Sequence, residues 1–284
     1  MPGGSGELKD YVGRKWTTED VITAVQMAKF SATMNRDDEP LNEGDPLPFG
    51  WHGLYFPRLH QTQELPRDGM VPEIEDGPPN PLPNRMYTGN NMRFHTPLRI
   101  GQTATKEMEL LSVTPKEGRA GSLVFVDFAL RISGPDWLST EDVINFVFKE
   151  PDKSGGAPRP GQPGPTEATW KRQVSADMVM LFRFSAATFN PHRIHYDHRY
   201  VTEVEGYPAI LVHGPLTAMW MMELAWDHNP GRVMSSFTQR ARAPVFVDEQ
   251  VTVLGEPSAD GNSCELWAVK EDGTLAMQAD VTFG

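Results

Sequence analysis

The residues best suited to acid–base chemistry lie in one short segment, Asn190-Pro-His-Arg-Ile-His-Tyr-Asp197. His195 is a candidate general base, because an imidazole exchanges protons near neutral pH. His192 lies three residues earlier and is a candidate for catalysis or for positioning a substrate. Asn190 can orient a water molecule but cannot accept a proton as a base. These residue types predict a site that activates water.

A second candidate group lies at the start of the apolar run ILVHGPLTAMWMMELAWDH, residues 210–228. The run is apolar nearly throughout, which predicts a buried helix. Pro215 suits the first helical turn, where its missing N–H costs nothing. The N–H of Gly214 would then lie at the positive end of the helix dipole, where it can stabilise negative charge developing on a carbonyl oxygen. His213 is expected to anchor the start of this helix.

Two alternatives for the acidic and histidine residues stay open. Asp197 could orient a histidine or cap the turn that follows it. His192, His195 and Asp197 have a spacing that could bind zinc, but no further remote ligand can be named, so we expect no metal site.

Cys264, the single cysteine, excludes an internal disulfide and is expected to be a buried small hydrophobic residue.

The composition limits the partners. The chain has 284 residues and a formal net charge of −12, from 26 basic and 38 acidic residues. This charge argues against a nucleic acid or an anionic membrane as partner. The N-terminal residues lack the apolar core of a signal peptide, and no apolar stretch approaches the ~20 residues of a membrane span. We therefore expect a cytoplasmic protein.

The first half begins with a predicted helix over residues 18–34, capped by Thr18 and with apolar residues at helical spacing. Residues 36–84 are rich in proline, glycine and charge. So long a connection is more often functional or covering than disordered. Its aromatic residues indicate that part of it packs: Phe49, Trp51, Tyr55 and Phe56.

Antiparallel strands are predicted from Arg85 onward, with a turn at Lys116–Gly118. Three more strands are predicted after the buried helix, in RVMSSFTQRARAP, EQVTVLGEPS and CELWAVKEDGTLAMQADVTF. The Pro/Gly-rich residues 151–166 between these two groups have no apolar periodicity, which is typical of a linker.

The two halves contain related segments in the same order. Residues 30–35 (FSATMN) match 184–190 (FSAATFN), and 93–97 (RFHTP) match 240–244 (RARAP). These matches suggest a duplication, in which each copy is a helix followed by, and wrapped in, an antiparallel sheet. The predicted division is an N-terminal copy at 1–150, a linker at 151–166 and a catalytic C-terminal copy at 167–284.

The motif segment resembles the MaoC-like hydratase/dehydratase family. Its members carry Asp-x-Asn-Pro-x-His-x-Asp followed by Gly-Phe-x-x-Pro-Ile-x-His-Gly; residues 195–197 and 210–214 match these motifs. The variant here is similar to a subgroup containing mitochondrial 3-hydroxyacyl-thioester dehydratases and bacterial itaconyl-, mesaconyl- and 3-methylfumaryl-CoA hydratases. PFGWHGLYFPR, LPNRMYTGNNMRFHTPLRIG and KEGRAGSLVFV in the first half agree, so the resemblance covers residues 17–284.

The resemblance implies an α+β double hot-dog fold, with two long helices each wrapped by antiparallel sheet. It places the family's catalytic histidine on His195, whereas Asn190 stands where the family usually has aspartate. The N-terminal copy has residues 35–38 (NRDD) in place of the histidine loop, so we expect one active site per chain, with the N-terminal copy packing and covering the ligand. The CoA path would lie between the copies.

The function implied is reversible hydration of an enoyl-CoA, with a C5 dicarboxylic substrate preferred. His195 would activate water, Asn190 would position it and the Gly214 N–H would polarise the thioester. Alternatives are a 3-hydroxyacyl-ACP or -CoA dehydratase of fatty-acid synthesis and a non-catalytic acyl-thioester binding protein. No cofactor is expected beyond the CoA of the substrate, and a homodimer is one possible assembly. Five arginines are the main candidates for binding phosphate or carboxylate groups: Arg193, Arg240, Arg242, Arg93 and Arg85.

Overall fold

The computed structural model describes residues 8–71, 81–82, 84–118, 121–150 and 161–284. Within these ranges the first half forms the strands β1 (Lys15–Val21), β2 (Asn84–Phe94), β3 (Thr103–Gly118), β4 (Gly121–Gly134) and β5 (Trp137–Lys149). The second half forms β6 (Trp170–Val174), β7 (Met234–Ala241), β8 (Val251–Pro257), β9 (Ser263–Lys270) and β10 (Leu275–Phe283).

These strands form one continuous antiparallel sheet in the order β1-β3-β4-β5-β2-β7-β10-β9-β8-β6. Each strand of the first half has an equivalent at the mirrored position in the second, which is the order that duplication of one five-stranded unit would produce. The two halves therefore share one continuous sheet and do not form two separate sheets that abut.

The two halves meet where β2 pairs with β7, from Gly89 opposite Arg240 to Arg93 opposite Ser236. Gly89 has a φ of +149°, and a Cβ at this position would lie 2.2 Å from the Gln239 carbonyl oxygen. The junction between the halves therefore requires glycine here, because no other residue leaves room for the facing backbone.

The main helices of the described ranges are α1 (Ala24–Thr33), α2 (Met178–Ala187) and α3 (Gly214–Asp227). Helices α1 and α2 pack against each other, with the Phe30 and Phe184 ring centroids 5.6 Å apart. Shorter helical turns cover Trp51–Leu54, Thr62–Glu64, Arg193–His195, His198–Tyr200 and Val201–Glu205.

Helix α3 is the buried helix that the apolar run predicted. Every residue from Leu216 to Ala225 is buried, and Pro215 lies in the first turn, as expected. The helix packs against all five strands of the second half. An apolar surface on every side suits this position, because strands and loops enclose the helix.

The prediction of a helix over residues 18–34 was wrong in its first part. Residues Lys15–Val21 form β1, paired with β3, and Thr18 lies opposite Lys106 instead of capping a helix. The helix starts after Thr23, whose side chain makes no cap hydrogen bond. Three β-branched residues in KWTTEDV favour the extended conformation once a partner strand is available.

Other boundaries also differ from expectation. The last predicted strand is two strands, β9 and β10, separated by residues 271–274. Strand β3 continues through Lys116 to Gly118, where the turn was predicted, and residues 119–120 lie outside the described residues. The first half contains the 3₁₀ turn Trp51–Leu54 and the ten-residue α1 but, in its described part, no second long helix like α3.

The long connection between α1 and β2 packs against the core, as its aromatic residues predicted. Trp51, Tyr55 and Phe56 are buried, and Phe49 is partly buried. Gly50 brings the backbone onto α3, because a Cβ there would lie 2.6 Å from the Met222 sulfur. Of the predicted linker, residues 151–160 lie outside the described residues, while Pro163 forms an isolated bridge with Thr274. The predicted domain boundaries stay a prediction.

Candidate active site

His195 ends the short 3₁₀ turn Arg193–His195 and is 7% exposed. Its Nδ1 lies 2.9 Å from the Leu211 carbonyl oxygen. Because a carbonyl can only accept, Nδ1 carries the proton and Nε2 carries a lone pair. Burial lowers the pKa of His195 to about 4, so the imidazole is neutral at neutral pH. His195 is therefore held in the tautomer that a general base requires.

Two further histidines surround this base. The His213 ring stacks on His195, with centroids 3.6 Å apart, and its Nε2 lies 2.8 Å from the Ser185 hydroxyl. His192 packs edge-on at 5.6 Å. Burial lowers the pKa of His192 to about 3 and that of His213 well below its ordinary value, helped by repulsion from the neighbouring histidines. The three rings form a neutral imidazole cluster.

The loop carrying the cluster is fixed by its own polar groups. The Asn190 side-chain oxygen accepts a hydrogen bond from the His192 N–H at 3.1 Å. Asp197 accepts from the Tyr200 N–H at 3.0 Å and pairs with Arg193 at 2.6 Å. Of the two alternatives for Asp197, the structure therefore shows the cap, and its partner is an arginine.

The long connection of the first half clamps the same loop. The Arg193 N–H donates to the Asp68 carbonyl at 2.8 Å, and the Arg193 guanidinium donates to the Arg67 carbonyl at 3.1 Å. Gly69 has a φ of +76°, and a Cβ there would lie 2.3 Å from the Pro191 carbonyl oxygen. Sequence reasoning missed these contacts, because the only local sign was a glycine in a polar turn.

Gly214 begins α3, and its N–H has no acceptor among the described residues. The first half reaches it through Tyr87 on β2: a Cβ on Gly214 would lie 3.4 Å from the Tyr87 ring. The Tyr87 hydroxyl accepts a hydrogen bond from the Gln239 Nε2 at 2.6 Å. Tyr87, Gln239 and Ser185 were not predicted from the sequence, because only the pairing of β2 with β7 brings the first two together.

A buried acid lies beside this junction. Asp142 on β5 accepts hydrogen bonds from the Asn90 side chain at 2.8 Å and from the Asn91 N–H at 3.1 Å. Burial raises the pKa of Asp142 to about 6. Asn90 lies opposite Gln239 in the register of the two halves, so the polar network crosses the junction.

Of the five predicted arginines, Arg85 is the one whose charge acts on the histidine cluster. It lies on β2 two residues before Tyr87, and its guanidinium carbon is 4.3 Å from the Phe146 ring centroid. Burial and His195 are the larger causes of the low His192 pKa, and the positive charge of Arg85 lowers it further. This electrostatic interaction indicates that β2 brings a cation toward the histidine loop.

The other four arginines have different surroundings. Arg193 is held in its ion pair within the loop, and Arg242 donates to the Gln278 side chain at 3.1 Å. Arg93 and Arg240 are exposed on β2 and β7. Their assignment to phosphate or carboxylate binding stays a prediction.

Within the described ranges, no group of three or more His, Cys, Asp or Glu side chains is arranged to hold a metal ion. No described helix has the length and apolar character needed to cross a membrane. Cys264 is buried, as predicted, and burial raises the pKa of its thiol to about 12.

Comparison with solved structures places the fold. A MaoC-like dehydratase from Phytophthora capsici superposes with a TM-score of 0.72 at 12% identity, covering 99% of this chain and 98% of that one. A Mycobacterium tuberculosis protein with a double hot-dog fold superposes with a TM-score of 0.59 at 14% identity, covering 96% of each chain. The α+β double hot-dog prediction is confirmed.

Sequence comparison places the family. The family model of hydroxyacyl-thioester dehydratase type 2 matches residues 50–247. The mesaconyl-C(4)-CoA hydratase of Chloroflexus aurantiacus is 39% identical over 281 residues, which cover 99% of each chain. The matched range contains both the histidine loop and Tyr87. This chain belongs to the hydroxyacyl-thioester dehydratase type 2 family.

Proposed function

We propose that this protein is a hydro-lyase that reversibly adds water across the α,β double bond of a C5 dicarboxylic enoyl-CoA, with mesaconyl-C(4)-CoA as the leading substrate. The observation that carries the proposal is the geometry of the site: a neutral histidine lies beside the start of a helix whose first N–H has no acceptor among the described residues. The substrate class is supported by the 39% identity to a mesaconyl-C(4)-CoA hydratase, over 99% of both chains.

The reaction needs a base and a stabilised oxyanion. His195 Nε2 takes a proton from water as the water oxygen attacks the β carbon, and the electrons of the double bond move onto the thioester oxygen. The Gly214 N–H donates to that oxygen, where the helix dipole also favours negative charge. Protonated His195 then returns the proton to the α carbon, and dehydration follows the same steps in reverse.

Asn190 can serve the role predicted for it, which is to position the attacking water. Its side-chain oxygen already accepts the His192 N–H, which leaves the side-chain amide as a donor that can hold the attacking water. The mechanism therefore uses one base, His195, which serves in both proton transfers. Its low pKa keeps it deprotonated before water attacks.

The dicarboxylate sets a further requirement. In mesaconyl-C(4)-CoA the β carbon carries a methyl group and a free carboxylate, so a cation is needed near the reacting carbon. Arg85 fits this role, because its charge already acts on His192. Arg131, exposed on β4 and outside the five candidate arginines, provides a matched control.

A second candidate is dehydration of a 3-hydroxyacyl thioester on CoA or acyl carrier protein, which the name of the matching family favours. This reaction would use the same base and the same helix N-terminus, but its substrate has an acyl chain without a second carboxylate. A cytoplasmic location and a homodimer stay predictions.

The test is a panel of crotonyl-, octenoyl-, itaconyl-, mesaconyl- and 3-methylfumaryl-CoA, with loss of enoyl-thioester absorbance followed for the wild type and for His195→Ala. We expect turnover of a dicarboxylic substrate that falls by at least about 10³-fold in the variant. Turnover of octenoyl-CoA alone would favour the second candidate. CoA esters that bind without turnover would indicate a binding protein.

Arg85→Gln tests the substrate class. We expect it to raise KM for the dicarboxylic substrate by about 10-fold or more and to leave KM for crotonyl-CoA unchanged. The reason is that a contact between the Arg85 guanidinium and a substrate carboxylate is worth more than about 1 kcal/mol. Arg131→Gln should leave the KM of both substrates unchanged. Equal effects of the two variants would contradict the role of Arg85.

A further inference from the structure

The Tyr87 hydroxyl is held in one orientation by its partner. Its oxygen accepts a hydrogen bond from the Gln239 Nε2 at 2.6 Å, so the phenolic hydrogen points away from Gln239. Among the described residues this hydroxyl donates to no acceptor. Burial and the nearby Asp142 carboxylate raise the pKa of Tyr87 well above its ordinary value, so the group keeps its proton at neutral pH and remains a donor.

The Tyr87 ring lies beside the start of α3, where the proposed mechanism places the thioester oxygen. The ring lies against the Cα of Gly214, with its Cδ1 atom 3.4 Å and its Cε1 atom 3.8 Å from where a Cβ would lie. Phe146 packs edge-on against the Tyr87 ring, with centroids 6.0 Å apart. The ring edge is therefore fixed beside the first N–H of α3.

We propose that the Tyr87 O–H is the second hydrogen-bond donor to the thioester oxygen, beside the Gly214 N–H. One donor comes from each half of the chain, and Gln239 positions the tyrosine. The role rests on the proposed function. Tyr87 donates a hydrogen bond and does not transfer its proton, so the proton balance of the reaction stays with His195.

Gln239 belongs to the same arrangement. It lies on β7 and is buried, and its side-chain oxygen has no hydrogen-bond partner among the described residues. With its amide nitrogen committed to Tyr87, Gln239 acts on the reaction through the direction that it gives to the phenol. Loss of Gln239 should therefore matter only while the Tyr87 hydroxyl is present.

Tyr87→Phe removes one oxygen and tests the proposal directly. A single oxyanion donor is worth about 10²- to 10³-fold in kcat, and we expect a loss of this size with KM changed less than about 3-fold, because the donor acts mainly in the transition state. Tyr55→Phe is the matched control: its hydroxyl donates to the Thr23 carbonyl at 2.7 Å, so it loses a hydrogen bond but should keep full activity.

A spectroscopic readout separates polarisation from general damage. The C=O stretch of bound enoyl-CoA should lie at lower frequency in the wild type than in Tyr87→Phe, and Tyr55→Phe should match the wild type. If Tyr87→Phe fails to fold, 3,5-difluorotyrosine at position 87 keeps the ring and donates more strongly, so it should lower the stretch further. A C=O stretch at the wild-type frequency in Tyr87→Phe, or in the protein with 3,5-difluorotyrosine at position 87, would overturn the proposal.

The double variant tests the positioning role. Gln239→Leu alone should lower kcat by about 10-fold, and adding it to Tyr87→Phe should cause no further loss, because both changes remove the same interaction. Additive effects, or wild-type kcat in Tyr87→Phe, would overturn the proposal. A wild type inactive on every thioester would instead reject the proposed function, and the two failures are thus distinguishable.

Discussion

Glu223 offers a quantitative test of how the two halves are coupled. It lies in the buried middle of α3, and its carboxylate is 3.5 Å from the Arg36 guanidinium of the first half. Its Oε1 atom has no hydrogen-bond partner among the described residues. Burial outweighs the attraction of Arg36 and raises the pKa of Glu223 from 4.5 to about 7. The perturbation is Glu223→Gln, which keeps the shape and removes the ionisation.

The sign and size follow from linkage. A carboxyl group with a raised folded-state pKa contributes stability that is fully present below its unfolded pKa and is lost as pH rises through the folded pKa. The difference between 4.5 and about 7 corresponds to about 3 kcal/mol, at roughly 1.4 kcal/mol for each pH unit. The wild type should lose this amount between pH 4.5 and pH 8, relative to Glu223→Gln.

The assay is urea unfolding of both proteins at intervals from pH 5 to pH 8.5. The difference in unfolding free energy, variant minus wild type, should rise with pH by about 2–3 kcal/mol over this range. Glu265→Gln, a change of the same charge at an exposed position on β9, should give a nearly constant difference. Parallel curves for the wild type and Glu223→Gln would refute the reasoning, because the acid would then ionise normally.

Three further outcomes are expected. Gly89→Ala should lower the unfolding free energy measured in urea by more than about 2 kcal/mol, because its Cβ would lie 2.2 Å from a carbonyl oxygen. Gly273→Ala, at a φ of +82° with open space around it, should lower it by only about 1 kcal/mol. Equal losses in the two variants would contradict this. The log of kcat/KM should stay level from pH 8 to about pH 5, because the pKa of His195 is about 4; a midpoint near 6.5 would contradict it. Asp177→Ala should cost about 1 kcal/mol in thermal unfolding, since its carboxylate caps α2, and an unchanged Tm would contradict that.

The features that sequence could predict are those encoded within a few consecutive residues. The histidine loop, the buried helix and the start of that helix at Gly214 were all predicted, because each combines residue type with local spacing. The structure brings the histidine loop and the start of the helix together as expected: His195 donates a hydrogen bond to the carbonyl of Leu211, which lies three residues before Gly214.

The features that sequence could not predict depend on pairing between distant segments. Residues 18–21 were predicted to begin a helix, and only pairing with β3 makes them part of a strand. The contact of Tyr87 with Gln239 joins residues 152 positions apart and depends on the register of β2 against β7. No local pattern marks either residue as part of the site.

The first half was expected to pack and to cover the ligand, and the contacts give it a larger role. It contacts the histidine loop through residues 67–69, brings the charge of Arg85 to His192 and places Tyr87 beside Gly214. In the proposed mechanism the C-terminal half supplies His195 and the Gly214 N–H, whereas β2 of the first half supplies Arg85 and Tyr87. Substitutions on β2 should accordingly change substrate specificity more than substitutions in the histidine loop do.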